Sequence, residues 1–176
     1  MVSSHREENV DNPKRLSALI ETLNEIQKKH QLPIIFSTHP RTRKQLKKIT
    51  VESSSEIHFL EPLGFIDYVS LQKQAVAVLS DSGTISEEAS ILNFRALNIR
   101  TSHERPEAME ETSVMMVGLE KERILQGLQV VLEQDIAERN FSQVSDYLPL
   151  NVAKKIERII VSYTTYVNVK IWGKSD

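Results

Sequence analysis

Ser80-Asp81-Ser82-Gly83-Thr84-Ile85-Ser86-Glu87-Glu88 joins an apolar run, Ala75 to Leu79, to a helical pattern through a turn of small polar residues. A strand that ends in Ser-Gly at a helix start turns backbone N–H groups outward, and with the positive end of the helix dipole they suit a phosphate. Glu88 falls about one turn inside the helix, where a carboxylate can accept two hydrogen bonds from a vicinal diol. Phosphate plus diol describes a nucleotide. The same residues also fit a Ser- or Asp-capped helix with an acidic first turn, so the segment alone leaves both readings open.

The next apolar run, Ala96 to Ile99, leads into Arg100-Thr101-Ser102-His103-Glu104-Arg105-Pro106-Glu107. Ligands of open parallel sheets bind beyond the carboxyl ends of the strands, so two such strand-end loops converge on one crevice. Arg105 has the planar fork that holds two phosphate oxygens, and Pro106 can open a helix at its first position. An ion pair of Arg105 with Glu104 or Glu107 is the plainer alternative.

Strand-length apolar runs alternate with helical patterns along the chain, which predicts an α/β fold with a parallel sheet covered on both faces. Strands are expected at 34–37, 57–60, 75–80, 96–99 and 114–117, and helices near 42–49, 65–73, 83–92, 106–111 and 120–133. Asn12 can cap a helix starting at Pro13, whose Leu16, Leu19, Ile20, Leu23 and Ile26 share one face. Val76-Ala77-Val78-Leu79 does not alternate, as expected of a central strand apolar on both faces. That position puts Ser82 and Gly83 at the middle of the crevice.

Composition excludes several classes. A net charge of −2 argues against a nucleic-acid partner, and the basic run Arg41, Arg43, Lys44, Lys47, Lys48 reads as the solvent face of a short helix. Without cysteine there is no disulfide framework, thiolate metal site or cysteine nucleophile. The apolar runs are too short to span a membrane and no leader-like pattern opens the chain, so a cytoplasmic location is expected.

At these loops the chain resembles the non-hydrolysing UDP-N-acetylglucosamine 2-epimerase family, with its Ser-Gly-Gly-x-x-Glu-Glu loop followed by Glu-Arg-Pro-Glu. His5-Arg6-Glu7-Glu8-Asn9 is similar to that family's His-Arg-Arg-Glu-Asn segment, and Ser37-Thr38-His39-Pro40 to its Pro-Val-His-x-Asn-Pro turn. The closing Tyr163-Thr164-Thr165-Tyr166-Val167-Asn168, with Trp172, looks more like the branch that makes UDP-N-acetyl-L-fucosamine for capsule and O-antigen. The resembling enzymes have a GT-B architecture of two Rossmann-like halves with the active site between them. This chain matches the carboxyl-terminal half, and is expected to be a fragment or a split gene product lacking its amino-terminal partner. The implied domains are a Rossmann-like UDP-binding half over 1–141, a linker over 142–150 and a last helix over 151–176. That helix carries an apolar stripe of Val152, Ile156, Ile159, Ile160, Tyr163 and Tyr166, expected to pack on the missing half or on a second copy of the chain.

The resemblance implies inversion at C2 of a UDP-linked 2-acetamido sugar, by elimination of UDP to a 2-acetamidoglycal and its re-addition, with no cofactor or metal. In this half it implies phosphate contacts from Ser82, Gly83, Thr84 and Arg105, ribose contacts from Glu88, and a catalytic His5 beside the reacting sugar. Arg6 and His39 would line the same site. Phe65, at the strand-end turn Glu61-Pro62-Leu63-Gly64-Phe65, could stack on uracil or belong to the core. The carboxylates that move protons belong to the other half, so the chain alone is expected to be inactive. Thr84 stands where the family has a second glycine, Glu7 where it has an arginine, and Arg95 where a proline is usual. A GT-B glycosyltransferase half and a non-catalytic UDP-binding remnant are the alternatives.

Overall fold

The computed structural model describes residues 1–136 and 141–175. Met1–Val144 form one compact unit and the residues from Ser145 onward another. In the first, six parallel strands lie in the order β3-β2-β1-β4-β5-β6: β1 (Val2–Ser3), β2 (Ile34–Ser37), β3 (Ile57–Leu60), β4 (Val78–Ser80), β5 (Ala96–Asn98) and β6 (Met115–Met116). The order runs outward in both directions from β1 and β4, which pair directly through Val2 with Leu79 and Ser3 with Ser80. The topological switch point, where a doubly wound sheet opens a crevice, is therefore between the loops that follow these two strands.

Helices cover both faces, as the alternating pattern requires. On one face α2 (Pro13–His30) and α7 (Lys121–Glu133) bury Leu19, Ile20, Leu23, Ile124 and Leu128 against Val2, Phe36, Leu79 and Leu97. On the other, Ile85 and Ala89 of α5 (Ile85–Leu92) pack with Val78, Ala96, Phe94 and Val114. Neighbours in β4 and β5 thus point to opposite cores, Val78 and Ala96 to one and Leu79 and Leu97 to the other. Asn12 caps α2 by accepting from the Lys14 and Arg15 amides, and all five apolar residues expected on its inner face are buried.

Several boundaries differ from those read along the chain. Residues 75–77 precede β4 rather than forming it, and Val76 is exposed because the strand pairs only from Val78 onward. His5-Arg6-Glu7-Glu8-Asn9 ends in a short helix, α1 (Glu7–Val10), which the apolar pattern gave no reason to expect. In the basic segment α3 (Pro40–Leu46) starts earlier, and two of its cations are engaged: Arg41 pairs with Glu7 and Asp11, and Arg43 with Glu61. Glu7 is thereby one side of a clasp between α1 and α3. Arg95 also acquires a structural role, since its Nε and Nη2 donate to the Val131 and Gln134 carbonyls at 2.6 and 2.7 Å and so cap the end of α7. Within the segment expected to be a linker, Val144 is buried, and its amide donates to Ser90 Oγ at 2.9 Å.

In the second unit α8 (Val152–Tyr166) carries the expected apolar stripe, with Ile156, Ile160 and Tyr163 each about half exposed or more. Among the described residues no helix is long and apolar enough to cross a membrane.

Candidate functional site

The loops after β1 and β4 are stitched together by Asp81. Its carboxylate is fully buried and accepts from Ser4 Oγ (2.8 Å), the His5 and Arg6 amides (3.1 Å each) and Asn9 Nδ2 (3.0 Å). Arg6 Nε returns to the Asp81 carbonyl at 3.0 Å, and His5 Nδ1 lies 3.4 Å from Oδ1. The His5 side chain is nearly half exposed, so its Nδ1 edge faces a buried acid while the rest of the ring is open to solvent. A carboxylate only accepts, and it favours the tautomer that carries the proton on Nδ1 and leaves Nε2 a base.

At the start of α5 no side chain caps the helix, contrary to the plain Ser/Asp-cap alternative. The turn before it is held by hydroxyls instead: the Ser82 amide donates to Ser80 Oγ (3.1 Å) and the Thr84 amide to Ser82 Oγ (3.4 Å). Two of the three amides expected to face a ligand are thus engaged internally, and among the described residues the Gly83 amide has no such partner. Thr84 Oγ1 and Ser82 Oγ sit 2.9 Å apart at the rim.

Arg105 lies directly over Gly83. A Cβ on Gly83 would stand 2.7 Å from Arg105 Nη1, so the lack of a side chain here is a matter of close approach. Arg105 Nε donates to Glu87 Oε1 at 2.6 Å, a partner from α5. Glu104 meets Arg100, whose side chain is 4% exposed and whose Nη2 donates to it at 3.2 Å. Arg100, with weaker help from Arg6 and Arg105, holds the Glu104 carboxyl below the usual carboxylate range. Arg105 thus approaches the Gly83 turn while paired with Glu87, and Arg100 of the same strand-end loop is paired with Glu104.

Glu88 projects from the first turn of α5, with its Oε2 2.5 Å from Gln72 Nε2 of α4 (Phe65–Gln74). Tyr68 lies one turn before Gln72; burial is the main cause of its raised phenol pKa, with the charges of Glu88 and Asp81 contributing. The remaining candidates are more peripheral. His39 caps α3, its Nδ1 accepting from the Arg41 amide at 3.4 Å. Phe65 is 79% exposed at the first position of α4, so it is no core residue and stands available at the carboxyl end of β3. His103 is exposed in the Arg105 loop.

Asp81, Asn9, Arg100, Tyr68 and Gln72 were not singled out along the chain. Asp81 and Arg100 lay within the two quoted motifs, but only their burial distinguishes them from ordinary loop polar residues. A separate apolar cavity of about 270 Å³, lined by Met1, Leu23, Ile26, Leu32, Ala77 and Leu132, lies at the opposite, amino-terminal end of the strands and includes none of the candidates.

Fold and crevice together define a doubly wound, Rossmann-like α/β domain with arginines and carboxylates gathered at its switch point. The family model described as UDP-N-acetylglucosamine 2-epimerase matches residues 1–161, and the chain belongs to that family. It is 36% identical over 172 residues to a UDP-N-acetylglucosamine 2-epimerase of Methanocaldococcus jannaschii, covering 94% of this chain and 45% of that protein. A UDP-2,3-diacetamido-2,3-dideoxy-D-glucuronate 2-epimerase of Pseudomonas aeruginosa is 29% identical over 136 residues, or 77% of this chain and 38% of that one. The structure of UDP-N-acetylglucosamine 2-epimerase from Rickettsia bellii superposes with a TM-score of 0.82 at 42% identity, over 98% of this chain and 46% of its own. The M. jannaschii enzyme in complex with UDP-GlcNAc and UDP gives 0.81 at 34%, over 92% and 44%. The chain thus spans about half the length of the relatives it matches.

Proposed function

We propose that this chain is the carboxyl-terminal, UDP-binding half of a nucleotide-sugar 2-epimerase. The observation that carries the reading is the approach of Arg105 over Gly83 at the uncapped start of α5, with Glu88 one turn along the same helix. A diphosphate over the Gly83 turn would meet one open amide, the helix dipole and Arg105, and would leave the ribose diol within the span of Glu88. His5, held by Asp81, would then lie on the sugar side of the diphosphate, with Arg6 and His39 behind it and Phe65 placed to cover the base.

In this reading UDP leaves from C1 as the C2 proton is removed, giving a 2-acetamidoglycal, and returns with the C2 proton on the opposite face. Stabilising the departing diphosphate falls to this half, and proton transfer at C2 to carboxylates outside it. We assign the substrate to the UDP-2-acetamido sugars, and favour the fucosamine-forming branch on the closing Tyr163-to-Trp172 segment. Calorimetry with UDP tests the site. Glu88→Ala should weaken UDP binding by about 1.5–3 kcal/mol, the worth of a charged hydrogen bond. Unchanged affinity would remove Glu88 from the site, and no heat at millimolar UDP would defeat the reading. Incubation with UDP-sugars in heavy water should leave C2 unlabelled; label at C2 would show that this chain contains its own acid and base.

A further inference from the structure

Gln72 lies in the last turn of α4, fully buried, in a setting an apolar residue would fill at less cost. Its Nε2 donates to Glu88 Oε2 at 2.5 Å, and its Oε1 is buried with no hydrogen-bond partner among the described residues. The opposite amide orientation would bring two acceptor oxygens to that separation, so the contact requires the amide nitrogen to face the carboxylate. An orphaned buried carbonyl is costly, and the bond made by the other end of the same amide is what it accompanies. That bond ends on a partly exposed residue that water could solvate.

The effect of the bond is on direction. A glutamate in the first turn of a helix has several rotamers open to it, and a diol receives two good hydrogen bonds from only one of them. With Oε2 tied to Gln72, the carboxylate plane is set and Oε1 is left to accept from outside.

We infer that Gln72 is a positioning residue that sets the Glu88 carboxylate for a ribose cis-diol, and that it makes the site select ribo- over 2′-deoxyribonucleoside diphosphates. This rests on the UDP reading above. A ribose that offers both hydroxyls satisfies a fixed carboxylate, whereas a 2′-deoxyribose leaves one lone pair without its donor.

The test is calorimetry of the full chain with UDP and 2′-deoxy-UDP, for the parent, Gln72→Met, Glu88→Ala and the double variant, with thermal midpoints taken in parallel. The parent should prefer UDP by roughly tenfold or more, the worth of one charged hydrogen bond. Gln72→Met should lose most of that preference through weaker UDP binding, with 2′-deoxy-UDP affinity little changed. Its thermal midpoint should hold or rise, because the orphaned carbonyl is gone. In the Glu88→Ala background the Met substitution should have no further effect on UDP affinity. Retained preference in Gln72→Met, equal loss for both nucleotides, or full additivity with Glu88→Ala would each overturn the role of Gln72 and leave the UDP reading standing. A parent that binds no UDP, or binds both nucleotides alike, would overturn the reading of Glu88 and this inference with it. Gln72→Leu accompanies Gln72→Met, and failure of both to fold would show that the amide serves the core instead.

Discussion

Asp81 holds together the two loops of the switch point, and its removal has the most informative consequences. Replacing it with alanine removes the acceptor of four donors: Ser4 Oγ, the His5 and Arg6 amides and Asn9 Nδ2. The Ser4 hydroxyl can rotate and Asn9 Nδ2 keeps a contact to the Ile99 carbonyl at 3.3 Å, so the loss falls mainly on the two main-chain amides. At about 1–3 kcal/mol for each donor left unpaired, Asp81→Ala should cost about 2–6 kcal/mol, a large part of the ordinary stability of a domain. Asp81→Asn is milder and more specific. Its oxygen can take the place of Oδ2 and keep most of the bonds, but its NH₂ then faces His5 Nδ1 and donates where the carboxylate accepted. The ring proton should move from Nδ1 to Nε2, at a stability cost of about 1–2 kcal/mol for the lost charge assistance. Urea unfolding followed by circular dichroism measures the stabilities, and imidazole ¹⁵N shifts report the tautomer. An Asp81→Ala variant within about 1 kcal/mol of the parent, or one tautomer in both the parent and Asp81→Asn, would refute the view that this carboxylate organises the switch point.

Three further outcomes are expected. Arg95→Ala should destabilise the chain by about 1–3 kcal/mol in urea unfolding, because two carbonyls at the end of α7 lose a charged donor; a change below about 0.5 kcal/mol would show that the cap is idle. The Met1 amine donates to the Ala77 carbonyl at 2.9 Å and burial lowers its pKa from 8.0 to about 6. Between those values the unfolded chain binds more protons, so stability should rise with pH from about 6 to 8, by about 1–3 kcal/mol, and level off above. Acetylating the amine should abolish that slope; an unaltered slope would assign it to another group. The chain should also self-associate through residues 151–172, since burying each large apolar side chain of α8 contributes about 1.5–3 kcal/mol. Light scattering after gel filtration, with and without those residues, checks this, and a monodisperse monomer with a protease-resistant tail would contradict it.

Much of the domain was legible along the chain because its signals are local. The Asn12-Pro13 start of α2 depends on a side chain reaching amides two and three residues ahead, and the buried face of that helix on a period of 3.6. The strand-end placement of Ser82, Gly83 and Arg105 likewise followed from where apolar runs stop, and a parallel sheet brings all such ends to one edge. Even at the site, what could be read was which loops would meet.

How they meet was decided by residues far apart in the chain. Asn9 reaches Asp81 across 72 positions, Arg105 reaches Glu87 across 18, Gln72 reaches Glu88 across 16 and Arg95 reaches Val131 across 36. None of these pairs has a periodicity or spacing of its own, since each arises only when separate crossovers set their helices and loops against a shared sheet. Burial then converts them from ordinary polar residues into fixed ones. In water Asp81 and Gln72 would be solvated and mobile, whereas beneath the crevice an unpaired donor or acceptor is costly enough to hold a single geometry. The sequence alone thus determined the sheet, its helices and the loops at their ends, while the buried polar contacts that direct His5, Arg105 and Glu88 came from tertiary packing.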